Sequence, residues 1–149
     1  MREKLKGLVT PVNLSIMVVI VVLFIDQLSK LLIKTNMVMG EEIPVIGNWF
    51  VIHFTENKGM AFGMSYGGVI GKYALTFIRI IAVVGISWYL NKLIKKHHAT
   101  TGVVVGVSLV LAGAMGNIFD SVFYGVIFTD SFGQVASMFP STGGYAPWF

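Results

Sequence analysis

Along much of this chain the apolar residues neither alternate with polar ones nor recur every third or fourth position; they run on. Three such runs, at about residues 12–32, 69–90 and 102–119, are each long enough to cross ~30 Å of hydrocarbon at ~1.5 Å per residue. They predict three membrane-spanning helices. Between the first two, residues 36–68 change character. "IPVIGNWFVIHFTENKG" holds a β-like run, "WFVIHFT", bounded by Gly47-Asn48 and by Asn57-Lys58-Gly59. Such boundaries predict a short sheet or hairpin, and Trp49, Phe50, Phe54 and Phe62 suit the headgroup zone of a bilayer. Residues 121–149, ending "FPSTGGYAPWF", read as a Gly- and aromatic-rich tail against the same surface. The chain is therefore expected to be a single all-α membrane domain with a small β-like cradle.

Composition supports this reading. Of 149 residues 55% are hydrophobic and 12% charged, a balance that favours spans over a large soluble core. The net charge of +4 does not point to nucleic acid, because no Lys/Arg patch carries interleaved aromatics. Arg2, Lys4 and Lys6 precede the first run, and Lys92, Lys95 and Lys96 follow the second. The positive-inside rule puts both regions in the cytoplasm, with residues 36–68 and 121–149 outside. The first run is too long for the core of a cleaved signal peptide, and no small-residue cleavage site follows it. Cysteine is absent, which excludes disulfides, thiolate metal sites, a cysteine nucleophile and lipidation of this chain at cysteine. His53, His97 and His98 form no HExxH-like pair, so neither a metal nor another cofactor is expected.

Charges inside the apolar runs are the chemically informative positions, since a charged side chain near the bilayer centre is costly. Asp26 and Lys30 in "FIDQLSKLLIK" stand four apart and share a helix face, so they can pair. Lys30 alone reads as readily as a side chain snorkelling to the interface, but Asp26 is too short for that and calls for a polar interior. Lys34, further along, reads as an interfacial cation. In "LAGAMGNIFDS", Gly113, Gly116, Asn117 and Asp120 form one stripe. Small residues there permit close helix approach, which lets the polar ones meet partners. Arg79 is a third intramembrane charge. Glu41, Glu42 and Glu56 read as loop or strand acids open to solvent, and Asn57 with Gly59 as a turn.

These residues carry a resemblance. "DQLSK" (26–30), "ENKGMAFG" (56–63) and "GAMGNIFD" (113–120), in this order and spacing, resemble successive motifs of the lipoprotein signal peptidase (signal peptidase II) family. The resemblance implies a four-helix aspartic endopeptidase of the bacterial inner membrane, with its active site toward the outer leaflet. Its implied partners are membrane lipids and diacylglyceryl-modified prolipoproteins, cut just before the lipidated cysteine. It also implies supporting roles: Asp26 and Asn117 organise the polar site with Lys30 and Asp120, while Asn57, beside Gly59, meets the substrate backbone.

The sequence also departs from the family pattern. Ser121 stands where an arginine usually follows the motif aspartate. The family's two catalytic aspartates belong to later motifs resembling "VVD" and "NxAD", and neither occurs here. The nearest candidate is Asp130 in "GVIFTD". A branch of the family with Ser after the motif aspartate inserts a Gly/aromatic stretch before its "VVD", and "SFGQVASMFPSTGGYAPWF" resembles that insert. The resemblance thus implies that the catalytic pair lies beyond Phe149 and that this is a C-terminally truncated, inactive copy. The competing reading is a non-enzymatic membrane protein, a small transporter or assembly subunit, moving ions or protons through Asp26, Arg79 and Asp120. Transporters tend to show inverted repeats and broken helices, and the sequence has neither.

Overall fold

A computed structural model describes residues 10–56, 68–96, 100–141 and 143–144. Its order is α1 (Pro11–Asn36), β1 (Glu42–Ile46), β2 (Phe50–His53), α2 (Gly68–Lys95) and α3 (Thr101–Phe119). A π-helical turn, Asp120–Tyr124, and a last short helical turn, Gly125–Ile127, complete it. Among the described residues three helices are long and apolar enough to cross a membrane: Pro11–Asn36, Tyr73–Lys95 and Thr101–Ile127.

Local chemistry sets the helix ends. Pro11 opens α1, where its missing N–H costs nothing, and Thr10 caps the turn: its Oγ1 accepts the Asn13 N–H at 3.2 Å. Thr100 repeats the device for α3, accepting the Val103 N–H at 3.4 Å. Lysines close α1 (Lys34) and α2 (Lys92, Lys95), where cations suit the negative end of the helix dipole. Each helix outruns the span predicted for it. The most consequential extension is the third: residues 121–127, expected to begin an outer tail, continue as helical turns. The π turn adds a residue per turn just where the Gly113–Gly116–Asn117–Asp120 stripe would have ended.

The chain divides into two compact units. The first comprises residues 1–27 and 77–118. Leu90, Val104 and Leu111 form its core, with partly buried Val19, Val83 and Ile86 packed on it. Ser108, fully buried, donates to the Val104 carbonyl at 2.7 Å and accepts from the Ser15 hydroxyl at 2.8 Å, so a polar contact joins α1 and α3 within an apolar face. The outward side chains, among them Ile20, Phe24, Phe77, Val84 and Val110, are large and apolar, as lipid contact requires.

The second unit comprises residues 28–76 and 119–149. It holds the predicted hairpin. β1 and β2 pair antiparallel, Glu42 opposite His53, Ile43 opposite Ile52 and Pro44 opposite Val51, with an irregularity between Pro44 and Ile46. Gly47, at φ +52°, takes a left-handed conformation in the turn that glycine adopts without strain. The strands are exposed, Ile43, Val45, Phe50 and Ile52 included. A second loop folds on itself further along: Phe128 bridges Met138, and Thr129 and Ser137 exchange hydrogen bonds. The Met39 N–H donates to the Ser131 carbonyl at 3.1 Å, tying this loop to the chain before the hairpin.

Candidate active site

In the first unit the site is built around Asp26 of α1. Its Oδ2 accepts a hydrogen bond from Gln27 Nε2 at 3.0 Å. Gly116 of α3 faces this carboxylate so closely that a Cβ added there would lie 2.5 Å from Oδ2. The stripe of small residues thus permits close approach at Gly116. At Gly113 it does not: nothing lies within 4 Å of an added Cβ, because that glycine is on an exposed part of the helix. Asn117 follows Gly116 directly on α3.

In the second unit two ionic contacts stand out. Lys30 of α1 donates to Asp120 Oδ2 at 2.6 Å, both side chains being about a quarter to a third exposed (31% and 25%). Asp120 opens the π turn, an irregularity frequent at functional positions. The other contact is more deeply buried. Lys34, in the last turn of α1, pairs with Glu56, three residues beyond β2, and donates to Ser131 Oγ at 3.1 Å. Ser131 Oγ donates to Glu56 Oε1 at 2.5 Å, and the Phe128 ring centroid lies 5.4 Å from the lysine nitrogen.

This cluster corrects two expectations. Lys34 is not an interfacial cation: α1 runs on to Asn36, and its last turn carries Lys34 into a buried position at 3% exposure. Glu56 is not a solvent-open loop acid, since its side chain is 8% exposed. Glu41 and Glu42 are exposed as expected. Asp130 serves its own turn: Oδ1 accepts the Phe132 N–H at 3.0 Å and its carbonyl accepts from Gln134 Nε2 at 3.2 Å, an Asx-type arrangement. Asn57 and Gly59 lie outside the described residues. The sequence flagged Lys30 and Asp120 through their intramembrane placement, whereas nothing marked Ser131, a serine in a loop.

The sequence model of the signal peptidase (SPase) II family matches residues 18–148. The chain belongs to that family. The lipoprotein signal peptidase of Porphyromonas gingivalis is 46% identical over 131 residues, covering 88% of this chain and 56% of that protein. The lipoprotein signal peptidase of Amoebophilus asiaticus is 46% identical over 105 residues, 69% of this chain and 44% of the relative. That of Bacillus pumilus is 37% identical over 105 residues, 69% of this chain and 63% of the relative. The chain thus spans about half the length of the first two curated relatives. No solved structure matches it. Within this signal peptidase II chain, Asp26, Lys30, Asn117 and Asp120 all fall inside the matched residues, and so do the Lys34, Glu56 and Ser131 of the buried cluster.

Proposed function

We propose that this chain carries the membrane-embedded supporting and substrate-binding part of an aspartic endopeptidase that removes signal peptides from diacylglyceryl-modified prolipoproteins. The observation that carries the reading is the Lys30–Asp120 pair at 2.6 Å, an ionic contact between a residue of "DQLSK" and the acid of "GAMGNIFD". In this reading Asp26 and Asn117 in the first unit, and the Lys30–Asp120 pair in the second, have supporting roles toward the outer leaflet of the bacterial inner membrane. Asn57, beside Gly59, binds the substrate backbone, and the exposed hairpin rests at the membrane surface among lipid headgroups. Nucleic acid has no part in it.

Peptide hydrolysis by this class needs two carboxylates close enough to share a proton. The ionised one takes a proton from water as the oxygen attacks the scissile carbonyl, and the protonated one donates to the carbonyl oxygen. Lys30 holds Asp120 in an ion pair, which suits a supporting acid better than a member of such a dyad. Asp130 is engaged in its own turn. We therefore place the catalytic pair, with a fourth helix, in the part of the relatives' length that these 149 residues do not cover. The test is a gel-shift assay on a diacylglyceryl-modified prolipoprotein, run with the 149-residue chain and with a long form extended to the relatives' full length. The long form should cleave and the short form should not. Turnover by the short form that disappears with Asp130→Asn would assign catalysis to Asp130 instead.

A further inference from the structure

Between residues 57 and 119 the chain carries no Asp or Glu, so the cations of α2 find no acid on their own helix or on α3. Lys92 and Lys96, at the C-terminal end of α2, are exposed. Among the described residues neither pairs with a carboxylate; the ion pairs run elsewhere. The lysines near the end of α1 differ, since Lys30 meets Asp120 and Lys34 meets Glu56. Lys92 instead lies over the Trp88 ring, 4.9 Å from its centroid, where the face of the indole attracts the ammonium. The Lys96 N–H donates to the Lys92 carbonyl at 3.1 Å, so Trp88, Lys92 and Lys96 follow at four-residue spacing on one face. Toward the N-terminus the same face reads Val84, Ile81 and Phe77, each more than half exposed. The opposite face is the packed one: Leu90 belongs to the core of the first unit, with Val83, Ile86 and Ile94 against it. From Phe77 to Trp88 the helix rises about 16 Å at ~1.5 Å per residue. That matches one leaflet of a hydrocarbon core ~30 Å thick.

We propose that this face of α2 docks one anionic phospholipid of the leaflet at its C-terminal end, with the acyl chains along Phe77, Ile81 and Val84 and the headgroup phosphate held by Lys92 and Lys96. Charge and length together commit the surface to this occupant. Phosphate is the anion a membrane supplies at the level where an apolar span gives way to lysines. Trp88 stands at that junction, where an indole suits the boundary between chains and headgroups. A soluble phosphate satisfies the lysines alone and leaves the apolar part of the stripe uncovered. A zwitterionic lipid covers the apolar part but brings its own cation against the lysines. Lipid docking here is independent of peptide cleavage and of which face of the membrane the α2 end occupies.

The experiment reconstitutes the 149-residue chain in bilayers of phosphatidylcholine with increasing phosphatidylglycerol. Trp49→Phe and Trp148→Phe leave Trp88 as the one indole of the three. Quenching by lipids brominated near the headgroup end of their acyl chains then reports which lipid lies against it. Phosphatidylglycerol should be preferred over phosphatidylcholine by roughly tenfold at low salt. The preference should fall to about twofold in ~0.5 M salt, which screens exposed charges. Lys92→Gln combined with Lys96→Gln should bring it close to unity, whereas Lys92→Arg with Lys96→Arg should retain it, because arginine keeps the charge and binds phosphate. Should the glutamine pair fail to fold, as judged by circular dichroism, the salt titration of the parent chain decides. Equal quenching by the two lipids at low salt overturns the proposal. So does quenching by neither, since a polypeptide segment then covers the stripe. Displacement of the brominated lipid by inorganic phosphate in millimolar excess also overturns it, assigning the lysines to a soluble anion instead.

Discussion

Gly116 of α3 stands against the carboxylate of Asp26 with no room for a side chain between them: an added Cβ would lie 2.5 Å from Oδ2 and 3.3 Å from Cγ. Val at this position must push the carboxylate aside or separate the helices, and overpacking of this kind costs about 1–3 kcal/mol. Gly116→Val should therefore lower the melting temperature and, in a form extended to the relatives' full length, impair the proposed cleavage. Gly113→Ala provides the contrast. Nothing crowds that position, and alanine is better than glycine inside a helix by about 0.5–1 kcal/mol, so stability should hold or rise. Equal effects of the two substitutions in a thermal melt would show that the close approach at Gly116 is not a constraint.

In a form extended to the relatives' full length, Asp26→Asn should impair the proposed processing far more than an exposed charge removal does. Asparagine keeps the shape and one acceptor of the carboxylate but not the charge that a supporting acid contributes. Lys34→Gln is unsuitable as the control, because it strands buried Glu56 without its cation, a change expected to cost about 3–5 kcal/mol. Lys95→Gln, at the exposed end of α2, is the appropriate one. Cleavage assays in which Asp26→Asn and Lys95→Gln behave alike would return Asp26 to a purely structural part.

The hairpin and the three spans were legible because each rests on a local signal: uninterrupted apolar runs, or β-rich residues around Gly47-Asn48. Lys30 and Asp120 were legible for a different reason. Charges in apolar runs are expensive, so their presence implied partners, although the identity of the pair needed the fold. Lys34 and Glu56 were misread because burial there is decided at long range. Lys34 lies at the end of its run, where snorkelling is the ordinary outcome, and Glu56 sits among turn residues. The loop carrying Phe128 and Ser131, with Ser131 75 and 97 residues away in sequence from Glu56 and Lys34, meets them. The helical turns after Phe119 were missed because π geometry carries no strong residue signature, and Asp120 looked like a terminus.

The orientation expected from the cation distribution is directly measurable in a chain that contains no cysteine. Asn48→Cys, in the exposed hairpin turn, should react with a membrane-impermeant thiol reagent applied from outside the cell. Lys96→Cys, after α2, should react only once the inner face is opened. The reverse pattern would invert the orientation and remove the outer-leaflet site.

Phe139 is a non-glycine residue at φ +52° with its side chain 75% exposed. The left-handed region disfavours β-branched residues most strongly, by about 1–2 kcal/mol relative to glycine. Phe139→Val should therefore lower the melting temperature by a few degrees, and Phe139→Gly should leave it unchanged or raise it, since little packing is lost with an exposed ring. A valine variant as stable as the glycine variant would mean that the backbone at 139 is not held in this conformation.

Lys30 and Asp120 provide the most direct check on the ionic contact that supports the functional reading. Their side chains are partly exposed (31% and 25%), so solvent screening keeps the interaction well below that of a fully buried pair. The short 2.6 Å contact nonetheless belongs with charge-assisted hydrogen bonds, which are stronger than neutral ones. A double-mutant cycle separates the pair from its surroundings. Lys30→Met and Asp120→Asn should each destabilise the protein in micelles, and the double variant should lose less than the sum, leaving a coupling energy of about 1–2 kcal/mol. Activity should behave differently from stability. If Asp120 supports the site through its pairing with Lys30, either single substitution should abolish most cleavage and the double should restore none of it, because the polar contact is gone in all three. Strict additivity in the stability cycle would show that the two residues do not interact, and recovery of cleavage in the double variant would confine their role to holding the fold.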